Sequence, residues 1–78
     1  MDKVTIDGWL ARDKEGSLFV YGKKPCEKCG GTWIGELPTK NQLIDLFYLK
    51  PSLFPSVKWE DDEPTQVTIT IEINDNGK

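Results

Sequence analysis

The sequence contains no histidine and only two cysteines, Cys26 and Cys29. Without histidine the chain lacks the commonest general base, the Ser-His and Cys-His nucleophile pairs, and the commonest metal ligand. Two cysteines make no disulfide framework. No apolar run approaches the ~20 residues of a membrane-spanning helix. The opening residues, Met1-Asp2-Lys3-Val4-Thr5-Ile6-Asp7, hold no basic stretch followed by an apolar one, so no secretory signal is expected. Basic charge is also scarce. The net charge is −3, and from Trp59 onward one lysine faces six acidic residues. That balance argues against a nucleic-acid partner. The expectation is a cytoplasmic domain that needs no membrane.

What is present fits one small folded unit, residues 1–78. Hydrophobic residues make up 37% and charged residues 29% of the 78, which separates the chain from disordered, highly charged sequences. A domain of this length buries only about 60% of its unfolded surface. It has little room for both a core and a deep pocket, so a binding module is expected rather than a self-contained enzyme.

The chain reads as mainly β (α+β): a small antiparallel sheet of about four strands with one short helix. A first strand is expected from Lys3 to Arg12, with Val4, Ile6, Gly8, Leu10 and Arg12 on one face and Thr5, Asp7, Trp9 and Ala11 on the other. Asp13-Lys14-Glu15-Gly16 reads as a type I turn closed by a left-handed glycine, the signature of a three-residue hairpin loop. A second strand follows from Ser17 to Gly22. Pairing Asp13 with Ser17 sets Arg12 opposite Leu18, Ala11 opposite Phe19, Leu10 opposite Val20 and Trp9 opposite Tyr21. Both faces of this hairpin are then apolar, whereas a half-exposed sheet is polar on one side.

Lys23 to Gly31 reads as a loop punctuated by Pro25 and the Gly30-Gly31 pair. Thr32 to Glu36 reads as a returning strand. Thr39 and Gln42 have the spacing of a capping box, and Leu43, Ile44, Leu46, Phe47 and Leu49 supply the apolar side of a helix over Lys40–Leu49. Lys50-Pro51 stops it. Ser52-Leu53-Phe54-Pro55 is a connector, Ser56 to Trp59 a brief extended piece, and Glu60-Asp61-Asp62-Glu63-Pro64 an acidic loop. Val67, Ile69, Ile71 and Ile73 alternate with polar residues and mark the last strand.

Trp9-Leu10-Ala11-Arg12-Asp13-Lys14-Glu15-Gly16, Lys24-Pro25 and Leu53-Phe54-Pro55-Ser56-Val57-Lys58-Trp59 through Val67 resemble a group of small uncharacterised proteins of phages, prophages and mobile elements of gut anaerobes. The resemblance covers a little over half the chain. It implies a mobile-element setting and carries no activity with it. The Cys26-x-x-Cys29 loop and the segment from Leu43 to Leu49 depart from the group's pattern.

Three constellations bear on function. Trp9, Phe19 and Tyr21 share one hairpin face and form, with Trp33 and Trp59, an aromatic constellation. Trp and Tyr build small β cores and also dominate binding hot spots. The helix covers one hairpin face at most, and the Pro-interrupted Leu53–Trp59 stretch covers the other in part. The Trp9, Phe19 and Tyr21 face, with Arg12 as a carboxylate contact or an edge charge, is therefore the expected surface for a protein partner or for self-association. Cys26-Glu27-Lys28-Cys29-Gly30 has half the spacing of a zinc site. The remaining ligands would have to come from Glu27, Glu36, aspartates or a second copy, and two reduced thiols in a loop is the plainer reading. Glu60 to Glu63 lacks the spaced ligands and glycine turn of a calcium loop. The expectation is a non-catalytic, protein-binding accessory module without a cofactor. The alternative is a small zinc-binding domain built on Cys26 and Cys29.

Overall fold

The computed structural model describes residues 2–35 and 46–74. Six strands occur in that part: β1 Lys3–Arg12, β2 Leu18–Tyr21, β3 Glu27–Cys29, β4 Thr32–Ile34, β5 Leu46–Leu49 and β6 Thr65–Glu72. Four form an antiparallel sheet in the order β5-β2-β1-β6, and β3 pairs with β4 as a separate hairpin.

The first hairpin has the register that its turn dictates. Trp9 lies opposite Tyr21, Leu10 opposite Val20, Ala11 opposite Phe19 and Arg12 opposite Leu18. Asp13 N–H donates to the Ser17 carbonyl at 2.9 Å, and Gly16 N–H donates to the Asp13 carbonyl at 3.0 Å. Gly16 takes φ 106°, a backbone state that glycine enters without a steric penalty. On the other side of β1, β6 pairs without interruption from Lys3–Glu72 to Leu10–Thr65.

Alternation along these strands sorts the side chains onto two faces. On the first, Leu10, Leu18, Val20 and Val57 form a buried cluster, against which Leu49, Val67 and Ile69 pack. On the second, Ala11, Tyr21 and Trp33 are buried, with Trp9, Phe19 and Trp59 packed around them.

Two expectations require correction. Leu46–Leu49 is not the end of a helix but the strand β5, paired antiparallel with β2 from Leu18–Leu49 to Tyr21–Leu46. A run of four large apolar residues suits an edge strand as well as a helical turn, and periodicity over so few positions does not separate them. The capping box at Thr39 and Gln42, and the remainder of the expected helix, lie outside the described residues. The second correction concerns the cysteine loop. Glu27–Cys29 forms a strand with Thr32–Ile34, closed by Gly30 (φ 61°) and Gly31 (φ 89°). Two successive positive φ values are those of a two-residue type I′ hairpin turn.

The stretch from Lys50 to Asp61 runs through a series of turns, and Ser56 to Trp59, expected as an extended piece, belongs to them. Leu53 N–H donates to the Lys50 carbonyl, Val57 N–H to that of Phe54 and Asp61 N–H to that of Lys58. Its side chains divide between the two faces of the sheet, Val57 entering the aliphatic cluster and Trp59 the aromatic one. The chain therefore passes around the end of the sheet at the Asp13–Gly16 turn.

Candidate interaction surface

The aromatic face is built from two hairpins and is anchored at the first turn. Asp13 is buried, and its Oδ1 accepts the Trp33 backbone N–H at 3.2 Å. Next to it, Lys14 N–H donates to the Gly31 carbonyl at 2.9 Å. These two bonds lay the β3–β4 hairpin over the sheet and bring the Trp33 indole onto Ala11 and Tyr21. Trp33 meets Trp59 edge-on at 6.5 Å between ring centroids. The Lys28 ammonium lies 5.1 Å from the Trp33 ring and 4.5 Å from the Trp59 ring, and it donates to the Trp59 carbonyl. Placed over the electron-rich faces, the cation fastens the two indoles together. Among the described residues, the buried Trp33 indole N–H has no hydrogen-bond partner.

Burial in this cluster pushes the Tyr21 phenol up to about 12, with the Asp13 carboxylate adding to the shift. Both causes act in one direction, because burial and a nearby negative charge each disfavour phenolate. Tyr21 is buried, whereas Trp9 and Phe19 are half-buried. The expected surface does not stop at β2. Tyr48 of β5 lies directly opposite Phe19, meets its ring edge-on at 5.0 Å, and is 62% exposed. Leu46, opposite Tyr21, is 47% exposed. Phe19, Tyr48 and Leu46 thus form an apolar step on the β5 side of the aromatic face. Tyr48 and Leu46 were hidden in the sequence by the helical reading of their segment.

Arg12 is committed inside the molecule. Its Nε donates to Val57 O at 2.6 Å, Nη1 to Gly16 O at 2.8 Å and Pro51 O at 3.0 Å, and Nη2 to Leu53 O at 2.9 Å and Phe54 O at 3.2 Å. A guanidinium carries five N–H donors, so the chain's own carbonyls occupy all of them. Phe54 adopts a left-handed φ of 51°, which turns its carbonyl toward this fork. Left-handed backbone at a non-glycine residue is sparsely populated and persists where surrounding contacts enforce it.

Cys26 and Cys29 are exposed free thiols. Cys26 N–H donates to Ile34 O at 2.9 Å, one residue out of step with the Glu27–Ile34 pair, and its Sγ lies 3.4 Å from the same oxygen. In a zinc knuckle the chain turns between the two cysteines, so both sulfurs face one point. Here the chain between them is extended, and the turn comes afterwards at Gly30-Gly31. Among the described residues, no three His, Cys, Asp or Glu side chains gather where they could hold a metal ion.

The acidic loop is partnered locally. Asp61 Oδ2 accepts the Lys58 N–H at 3.0 Å, and Glu63 pairs with Lys24 at 2.8 Å. The Lys24 hydrogen bond, then its charge, holds the Glu63 carboxyl below its ordinary range. Comparison of the chain with protein-family models, curated proteins and solved structures finds no match.

Proposed function

We propose that this chain is a non-catalytic accessory module that binds a protein partner through the Phe19, Tyr48 and Leu46 step, with Trp9 further along the same face. The observation that carries this reading is Tyr48, a large aromatic side chain 62% exposed and held edge-on by Phe19 at 5.0 Å. A tyrosine fixed in orientation before binding loses little entropy when a partner covers it, and the Tyr48 hydroxyl, 3.4 Å from Ser17 Oγ, is held in place as well. The resemblance of the first hairpin and the Leu53–Trp59 stretch to mobile-element proteins supports a setting inside a bacterial cytoplasm. Arg12 leaves the proposed contact set, because its donors are committed.

The test is capture from bacterial lysate with the full chain as bait, comparing wild type, Tyr48→Ala and the surface variant Asp62→Ala, whose residue is exposed and belongs to neither sheet edge. A partner retained by wild type and Asp62→Ala but lost by folded Tyr48→Ala supports the reading. Equal retention by all three removes the surface from consideration.

A further inference from the structure

The edge of β6 is a second, separate surface. Ile73 N–H donates to the Asp2 carbonyl at 2.7 Å, one step beyond the Lys3–Glu72 pair. Hydrogen-bonded pairs recur at every second position of an antiparallel ladder. Val4–Ile71, Ile6–Ile69 and Gly8–Val67 therefore turn their backbone groups toward each other. The N–H and C=O groups of Gln66, Thr68, Thr70 and Glu72 point the opposite way, out of the sheet. Among the described residues no strand lies beyond β6.

Proteins usually guard such an edge with lysine, proline or a bulge. Between Gln66 and Ile71 there is no charged residue and no proline, and the unbroken register with β1 leaves no bulge. Apolar exposure also gathers at this end of the sheet: Val4 is 43%, Ile71 51% and Ile73 60% exposed.

We infer that β6 pairs antiparallel with β6 of a second copy of this chain, about a two-fold axis at Ile69. An isologous contact must be self-complementary, and this edge is. Rotation about Ile69 sets Thr68 opposite Thr70 of the second copy, Val67 opposite Ile71, and Gln66 opposite Glu72. Apolar residues meet apolar residues on one face and hydroxyls meet hydroxyls on the other. No like charges stand across the axis. The four outward residues of each strand complete about eight backbone hydrogen bonds. Val67, Ile69 and Ile71 of both copies join into one apolar stripe across an eight-stranded sheet. This contact lies at the opposite edge from Tyr48 and does not depend on the partner surface proposed above.

Light scattering on the full chain, over about a hundredfold range of concentration, is expected to give twice the 8.9 kDa mass of one chain at the upper end. The double variant T68K/T70K sets lysines against lysines across the axis and should stay monomeric with an unchanged circular dichroism spectrum. T68E/T70E should also be monomeric, and an equal mixture of the two should regain the dimer mass. A wild type that remains a single chain throughout overturns the inference, as does a dimer that T68K/T70K leaves intact. Amide exchange on wild type gives a reading that needs no variant. Concentrating the protein should slow exchange at Gln66, Thr68, Thr70 and Glu72 by at least about tenfold, while Ile69 and Ile71 stay protected at every concentration. Equal response at both sets of positions would count against this edge.

Discussion

Arg12 donates from Nε to the carbonyl oxygen of Val57 at 2.6 Å, across 45 positions of sequence. The other four donors of the same guanidinium fix Gly16, Pro51, Leu53 and Phe54, so one side chain ties the run of turns to the end of the first hairpin. That run delivers Val57 to one face of the sheet and Trp59 to the other. Both clusters therefore depend on a residue that belongs to neither.

Arg12→Lys should destabilise the domain by about 2–4 kcal/mol, because one ammonium cannot reach five diverging carbonyls and leaves several unsatisfied. Urea denaturation monitored by tryptophan fluorescence measures this. A loss under about 0.5 kcal/mol, typical of a plain surface site, would contradict the structural role of the fork.

Trp9 and Tyr48 lie on the same face but should answer differently to truncation. Trp9 packs against the buried Ala11, Tyr21 and Trp33 cluster, so Trp9→Ala should cost about 1–3 kcal/mol of stability, less than a fully buried indole. Tyr48→Ala should change stability by less than about 1 kcal/mol, since it removes an edge-on ring contact and one long, exposed hydrogen bond to Ser17. In a partner complex Tyr48→Ala should cost more than about 2 kcal/mol of affinity, as a hot-spot residue does. Denaturation curves for both variants, with calorimetric titration once a partner is in hand, separate packing from recognition.

Replacing both Cys26 and Cys29 with serine should shift stability by less than about 0.5 kcal/mol. Both are exposed free thiols. A chelator should leave the melting temperature unchanged. A fall in melting temperature on chelation, matched by one equivalent of zinc in elemental analysis of untagged protein, would restore the metal-binding alternative.

The parts of this fold legible in the sequence are those set by local chemistry. Asp13-Lys14-Glu15-Gly16 specifies both a turn and its register, and the alternation from Val67 to Ile73 specifies a strand. Of the second hairpin, the strand from Thr32 was legible, but β3 escaped because Glu-Lys-Cys is exposed at every position and carries no alternating pattern. Gly30-Gly31 was its one signal, since a glycine pair suits a type I′ turn as well as a loop. Cover for the aromatic face was expected from Leu53–Trp59, and Trp59 does pack there, but Trp33 joins it. That placement rests on Asp13 Oδ1 reaching the Trp33 N–H across 20 positions, and spacing along the chain does not encode such a contact. Arg12 was equally opaque: its five acceptors are backbone carbonyls, which every sequence possesses.

Tyr21 provides a pH signature of the aromatic cluster. Its phenol loses a proton near 10 in the unfolded chain and at about 12 in the folded one. Between those values the folded state holds a proton that the unfolded state has released, so stability falls as pH rises. The contribution is whole below pH 10 and is lost as the pH climbs to about 12. Phenolate absorbance near 295 nm should show a late step that is absent in Tyr21→Phe. Wild type should also lose more stability than Tyr21→Phe across the same interval. Asp13→Asn tests the second cause separately: it removes the charge while keeping an oxygen for the Trp33 N–H, and should draw the late step down toward 10 without removing it, since burial is the larger cause. An Asp13→Asn protein whose tyrosine step does not move would show that burial alone sets the shift.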